Sequence, residues 1–377
     1  MLKRKYTRLY AAIVGAIFTM AMLVISSDYA QAEVSADQST AVIFVYQRVG
    51  EDSVPQSNIS VERFKEHITE LTKGGYSVLP LPQVIDALKN GSPLPPKTVG
   101  ITFEGGYQPT IAKVMPLLEE AKLPFTIFFA TDMAEGGNSA HMTWDQIKKL
   151  KKNKLVSLGV LPATYEHMVN QNPEQNSALI NRAVSKYRDI LGEDPVFFAY
   201  PYGEYNSALK KQLSGYNFKA VFGQQSGVVH SHSDFMALPR FTMTDDYGDL
   251  DRFVLTANAK PLPVSDIVPE DTVFTQNPPI IGFTVTSELG NLSQLSCFGS
   301  GQGKLRLTRI GGNRIEIRPD QPFVDRRTRV NCTLPDYAAA SGEPQSWRWF
   351  GMLLIAASLE EDPEVDSQEH PENPENQ

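Results

Sequence analysis

The feature that most constrains this chain is a regular alternation of strand-like and helix-like segments between residues 41 and 259. Short apolar, β-branched runs at 41–46, 98–103 and 125–130 read as buried strands. Shorter strands are expected at 76–79, 155–158, 197–199, 219–222 and 238–242. Helices are expected between them. Ser60 is placed to cap one that runs through Lys73 and stops at Gly74-Gly75. A second spans 82–90, with Pro82 near its start and Gly91 past its end. A third, 110–121, sets Ile111, Val114, Leu117 and Leu118 on one face. Thr143-Trp144-Asp145-Gln146 has the form of a capping box opening a helix to about Lys152, and helices at 176–191 and 207–214 follow. Repeated β-α units imply a mainly parallel sheet, and six or more in succession fit a barrel. In such barrels the chemistry collects at the carboxyl ends of the strands.

The helical pattern stops at 261–279, a proline-rich stretch that reads as a linker. Beyond it, 280–286, 304–310, 314–318, 328–332 and 347–355 read as strands, with Gly311-Gly312-Asn313 as a hairpin turn. Residues 280–357 are therefore expected to form a small all-β sandwich. At the N-terminus, Lys3, Arg4 and Lys5 precede an apolar run at 9–25 and the small-x-small triplet Ala30-Gln31-Ala32. Residues 1–32 read as an export signal, with an uncleaved membrane anchor as the alternative because the run approaches spanning length. The mature chain is then periplasmic or extracellular. In that setting Cys297 and Cys332 read as one disulfide, the alternative being two reduced, buried thiols. Residues 358–377 read as a disordered acidic tail, since 360–377 hold eight acidic residues and no Lys or Arg. A net charge of −8 offers nothing to nucleic acid, whose binders carry basic faces.

The strand at 98–103 runs directly into Glu104-Gly105-Gly106-Tyr107. The segment Ile101-Thr102-Phe103-Glu104-Gly105-Gly106-Tyr107 resembles the first motif of the polysaccharide deacetylase (NodB-homology, carbohydrate esterase family 4-like) family, usually Thr-Phe-Asp-Asp-Gly-Tyr. Phe198-Ala199-Tyr200-Pro201-Tyr202-Gly203 resembles its third motif, in the form found in the branch acting on poly-N-acetylglucosamine and related exported polysaccharides. The resemblance covers roughly 41–260 and implies a distorted, incomplete (β/α)7 barrel. It also implies a groove in which Tyr107, Pro201, Tyr202 and Gly203 contact sugar, aromatic faces packing on C–H faces while hydroxyls bond to sugar oxygens. The family's chemistry uses one Asp and two His to hold zinc or a similar ion, which polarises the acetyl carbonyl, and a neighbouring Asp as the base.

Measured against that pattern, this chain keeps a carboxylate at the base position, Glu104, and departs at all three metal positions. Alignment of the motifs puts Gly105, Leu161 and Tyr165 there, and none is a credible zinc ligand. Tyr46-Gln47-Arg48 stands where related sequences have Tyr-His-Arg. His167 is a displaced candidate ligand or a loop histidine, and His230-Ser231-His232-Ser233-Asp234 is the other metal-capable cluster. Two readings follow. One is an exported pseudoenzyme without a cofactor that binds glycan or a partner such as exopolysaccharide machinery. The other is an active deacetylase of an exported polysaccharide, with Glu104 as base and zinc or another divalent metal in a rearranged site.

Overall fold

The computed structural model describes residues 39–136, 139–286, 289, 291–336, 346–357 and 359. The export signal expected at 1–32 lies outside the described residues, as does the acidic tail expected at 358–377 apart from Leu359. The described residues form one compact unit.

The sheet that organises this unit is built from β1 (Thr40–Tyr46), β4 (Ser77–Val78), β5 (Thr98–Glu104), β6 (Phe125–Phe129), β7 (Val156–Val160), β8 (Phe197–Ala199), β9 (Ala220–Phe222), β10 (Val229–His230) and β11 (Phe241–Thr242). Between β1 and β4 a small parallel pair, β2 (Arg48–Val49) and β3 (Asn58–Ile59), stands apart. The main order is β10-β1-β5-β6-β7-β8-β9, parallel throughout except for β10 against β1. Residues 238–242 close the ring: Leu238 bridges to Phe222 of β9, and Phe241 pairs with Phe44 of β1. The incomplete barrel is therefore shut by one short segment rather than a full strand.

The strand period decides what each face carries. On β5, Val99, Ile101 and Phe103 point outward into the main core, where the helices pack. The alternate residues Thr98, Gly100, Thr102 and Glu104 point inward, and the open side of Gly100 faces Ile43 and Leu81. The interior is a second core containing Ile43, Phe128, Leu161, Ala199, Phe222 and Leu238, with Leu81, Val84, Ile85 and Leu88 of the helix Leu81–Lys89 also in it. Helix starts follow their capping signals. Ser60 accepts from the Arg63 amide ahead of the helix Val61–Lys73, and Thr143 and Gln146 form the expected capping box. The helix expected from 176 begins earlier, at Pro173, because Asn172 and Gln175 make a second capping box and proline suits the first turn.

The β-rich region is two sheets. One has the order β12-β21-β20-β16-β17, with β14 added to β21, and the other β13-β15-β19-β18. Their strands are β12 (Lys260–Pro261), β13 (Val264–Val268), β14 (Val273–Phe274), β15 (Ile281–Val285), β16 (Ser296–Gly299), β17 (Gly303–Lys304), β18 (Arg306–Ile310), β19 (Arg314–Arg318), β20 (Arg327–Asp336) and β21 (Ser346–Ala356). Cys297 and Cys332 sit opposite each other on β16 and β20 and are joined as a disulfide. The stretch 261–279 corrects the linker expectation. It supplies β13 and β14 and the end of β12, pairing with β15 and β21. Proline content misled there because short edge strands tolerate proline. The two regions pack closely, with Trp349 of β21 meeting Phe241 edge-on at 5.2 Å.

Candidate functional site

The motif at the end of β5 closes into a tight turn. Gly105 and Gly106 have φ of +101° and +66°, a region that L side chains rarely adopt. A Cβ at Gly105 would fall 2.2 Å from the Tyr107 ring, and one at Gly106 2.7 Å from Phe129 Cβ. Gly105 is thus more than a ligand position without a side chain, because the turn is shaped around having none.

Glu104 is the last residue of β5 and points into the barrel, 1% exposed. Its Oε1 accepts from the Tyr165 hydroxyl at 2.8 Å and from Gln224 Nε2 at 2.9 Å. Its Oε2 accepts from Arg240 Nη2. Arg240 lies in the segment that closes the ring, two residues from interior Leu238, and its side chain is fully buried. Its Nε donates to the Gly223 carbonyl at 2.8 Å, its Nη1 lies 3.4 Å from Thr102 Oγ1, and its guanidinium lies near the rings of Phe128 and Phe222. The result is a buried ion pair with its hydrogen bonds filled, the condition under which buried charge is tolerated.

Of the aligned metal positions, Leu161 is fully buried in the interior core and Tyr165 is the phenol bound to Glu104. Tyr165 also takes a 3.4 Å contact from Gln47 Nε2 and another from the Tyr202 amide, and its ring meets Tyr202 edge-on at 4.8 Å. His167 points elsewhere. Its Nδ1 lies 2.9 Å from Glu204 Oε2, and its ring stacks on Tyr202 at 3.9 Å. Asp234 pairs with Lys210 at 2.8 Å, and His230 and Ser233 hold each other in a turn. Among the described residues no group of three His, Cys, Asp or Glu side chains is arranged to hold a metal. A zinc-type centre does not fit the residues present: the place beside Glu104 is filled by a phenol, an amide and a guanidinium, none of which is a zinc donor here.

The four residues expected to contact sugar are buried. The guanidinium of Arg48 lies over the Tyr107 ring at 3.7 Å and bonds to Glu51 at 2.9 Å. Tyr202 is covered by His167, and its carbonyl accepts from Arg327 of β20. Glu204, just after the third motif, has no exposed side-chain surface and pairs with Arg326 at 3.2 Å and Arg327 at 3.5 Å. The β-rich region therefore locks the third motif from outside, and the aromatic wall expected along a groove is internal. Arg240, Gln224, Glu204, Arg326 and Arg327 all escaped the sequence reading. Two signals could have found part of this set: a lone arginine inside the segment 238–242, and a Gln-Gln pair one residue past a strand end.

Residues 91–221 match the family model for polysaccharide deacetylase. The poly-beta-1,6-N-acetyl-D-glucosamine N-deacetylase of Escherichia coli strain K12 is 22% identical over 249 residues, covering 54% of this chain and 37% of that protein. This chain thus spans little more than a third of that relative's length. Among solved structures, the deacetylase PplD of Streptococcus pyogenes in complex with acetate aligns with a TM-score of 0.54 at 18% identity, over 58% of this chain and 98% of that one. IcaB from Ammonifex degensii aligns at 0.51 and 23% identity, over 59% and 98%. These likenesses cover the barrel fold. Together with the motifs at the strand ends, the family match shows a polysaccharide deacetylase domain at residues 91–221.

Proposed function

We propose that this chain is an exported glycan-binding protein built on the deacetylase fold, in which the hydrolytic centre has become a structural ion pair. One observation carries the proposal. Glu104, at the position of the family's base, is buried, and its two oxygens already accept from Tyr165, Gln224 and Arg240. A general base must reach a water and take its proton within hydrogen-bond distance. A carboxylate closed in by three protein donors offers no place for that water. The metal that would polarise the carbonyl also lacks its ligands, since Gly105, Leu161 and Tyr165 stand at the aligned positions. Glycan remains the ligand class favoured by the likeness to a poly-N-acetylglucosamine deacetylase. A place beside exopolysaccharide machinery fits the same reading.

Export rests on the basic, apolar and small-residue order of 1–32. No described helix is long and apolar enough to cross a membrane. The test is direct. Purified residues 33–377 are titrated with β-1,6-linked N-acetylglucosamine oligomers by calorimetry and assayed in parallel for acetate release with added zinc. Binding without turnover is expected. Acetate release that disappears in Glu104→Gln would restore the hydrolase reading, and absence of any glycan binding would remove the binding one.

A further inference from the structure

We propose that the acidic run 360–377 docks, within its own chain, along the basic edge of the β-rich region and covers strand β18 there. The docking does not depend on whether the barrel binds glycan. Strand β18 is the last strand of its sheet, paired on one side with β19. An edge strand offers its other row of backbone groups to any extended chain. This edge is basic in a chain of net charge −8: Lys304, Arg306, Arg309, Arg314 and Arg318 stand on β17, β18 and β19, against Glu316 and Asp320.

The period of the strands decides where these charges point. Ile315 and Ile317 of β19 are buried in the core of the β-rich region, so the alternate residues Arg314, Glu316 and Arg318 face outward. Arg306 lies directly opposite Arg318 in the ladder, and like charges in that position repel. Each has an acidic neighbour, Asp320 at 2.8 Å and Glu316 at 3.3 Å. Both arginines are more than half exposed, so those pairs compensate weakly. Basic side chains on an edge also guard it against aggregation, so charge alone names no occupant. The spacing of the acidic run does.

Glu360, Asp362, Glu364 and Asp366 recur at every second residue, which puts their carboxylates on one side of an extended segment. Val365 falls on the other side, the side of Leu307, which is only half-buried at the open edge. A proline biases the residue before it toward extended backbone and is tolerated on outermost strands, so Pro363 suits this placement. The run also starts close by. Leu359, the residue before it, packs on the core of the β-rich region. The Ala356 and Ala357 amides donate to the carbonyls of Arg326 and Phe274 at 2.8 and 2.9 Å, and the Phe274 ring meets that of Phe323 at 6.2 Å. Phe323 stands five residues beyond Arg318, a separation of at most about 18 Å, whereas 360–377 can extend about 60 Å. Tethering gives an effective concentration on the order of millimolar, so individually weak ion pairs are enough. Docked, the run keeps β18 from pairing with a second copy of the chain.

The experiment uses residues 33–377, the chain expected after export. A carbodiimide, which couples touching carboxylates and lysines, should join Lys304 to a carboxylate within 360–366. Mass spectrometry of an equal mixture of isotope-labelled and unlabelled protein should show that the link lies within one copy. It should disappear in about 0.5 M NaCl, where the Debye length is about 4 Å. Hydrogen exchange of the 306–310 amides should speed up by about tenfold when Glu360→Gln, Asp362→Asn, Glu364→Gln and Asp366→Asn are combined. Arg306→Glu with Arg318→Glu should do the same. Adding Glu360→Lys, Asp362→Lys, Glu364→Lys and Asp366→Lys to that pair should restore the protection. Absence of the Lys304 link, together with unchanged exchange when the carboxylates are neutralised, would overturn the docking. Links found only between labelled and unlabelled copies would overturn docking within the chain and make this edge an interface between copies.

Discussion

Replacing Arg240 by methionine should cost the fold about 3–5 kcal/mol, the range for breaking a buried ion pair by removing one partner. The structure indicates why the cost belongs at that level. Arg240 and Glu104 have no exposed side-chain surface, so water cannot take over the lost contact. The variant also gives up the donor to Gly223 and the contact with Thr102, and leaves Glu104 with two neutral donors, Tyr165 and Gln224. Removing both charges is a different perturbation. Arg240→Met with Glu104→Met keeps the volume and deletes the stranded carboxylate, and such replacements are often neutral or better. The double variant should recover most of the loss, giving a coupling energy of about 3 kcal/mol in a double-mutant cycle. Urea unfolding of residues 33–377, followed by far-ultraviolet circular dichroism and by fluorescence, measures each corner, with coincident transitions as the check on two-state analysis. An Arg240→Met midpoint equal to wild type, or a coupling within about 0.5 kcal/mol of zero, would refute the reasoning.

Other perturbations have equally definite outcomes. Gly105→Asp should lower stability by about 1–3 kcal/mol, because φ is +101° and the Tyr107 ring occupies the Cβ position; unchanged thermal unfolding would count against that turn geometry. Removing the disulfide with Cys297→Ser and Cys332→Ser should cost roughly 3–4 kcal/mol in the chain-entropy model, read as a lower urea midpoint. Burial lowers His67 from 6.5 to about 4, as it does His141. The unfolded chain therefore binds more protons than the folded one between pH 6.5 and 4, so stability should fall as pH drops through that window. His67→Gln should flatten part of that dependence, and an identical pH profile in the variant would contradict the assignment.

Much of the fold was legible because the signals are local. The β-branched runs at β1, β5 and β6 and the capping box at Thr143 depend only on neighbours within a few residues. The parts that stayed hidden depend on contacts across the chain. Residues 238–242 look like an ordinary strand, and nothing local says that they close a ring between β9 and β1. Arg240 reaches Glu104 across 136 residues and Arg326 reaches Glu204 across 122, separations that no periodicity records. The linker expectation failed for a related reason. Pairing of 264–268 and 273–274 is decided by β15 and β21, not by the prolines beside them. At the site, the motifs singled out Glu104, Gly105, Leu161 and Tyr165, and the structure brings Glu104 and Tyr165 into one hydrogen-bond network. That network was not legible, because a tyrosine in a loop gives no sign of the carboxylate it will meet.

The departures from the motif are coupled to one another rather than scattered. A carboxylate on the inward face of β5 needs donors on every side once it is sealed from water. Tyr165 supplies one from the position aligned with a metal ligand, and the same phenol accepts from Gln47 and the Tyr202 amide. Gly105, at another such position, leaves room for the Tyr107 ring, over which Arg48 lies. Arg240 then supplies the positive charge that a buried carboxylate requires. Histidine at 165 would lose the reach of the phenol to Glu104, and a side chain at 105 would displace Tyr107 from beneath Arg48. Each altered residue is held in place by another, so Glu104 works as a cross-brace between β5 and the segment that closes the barrel.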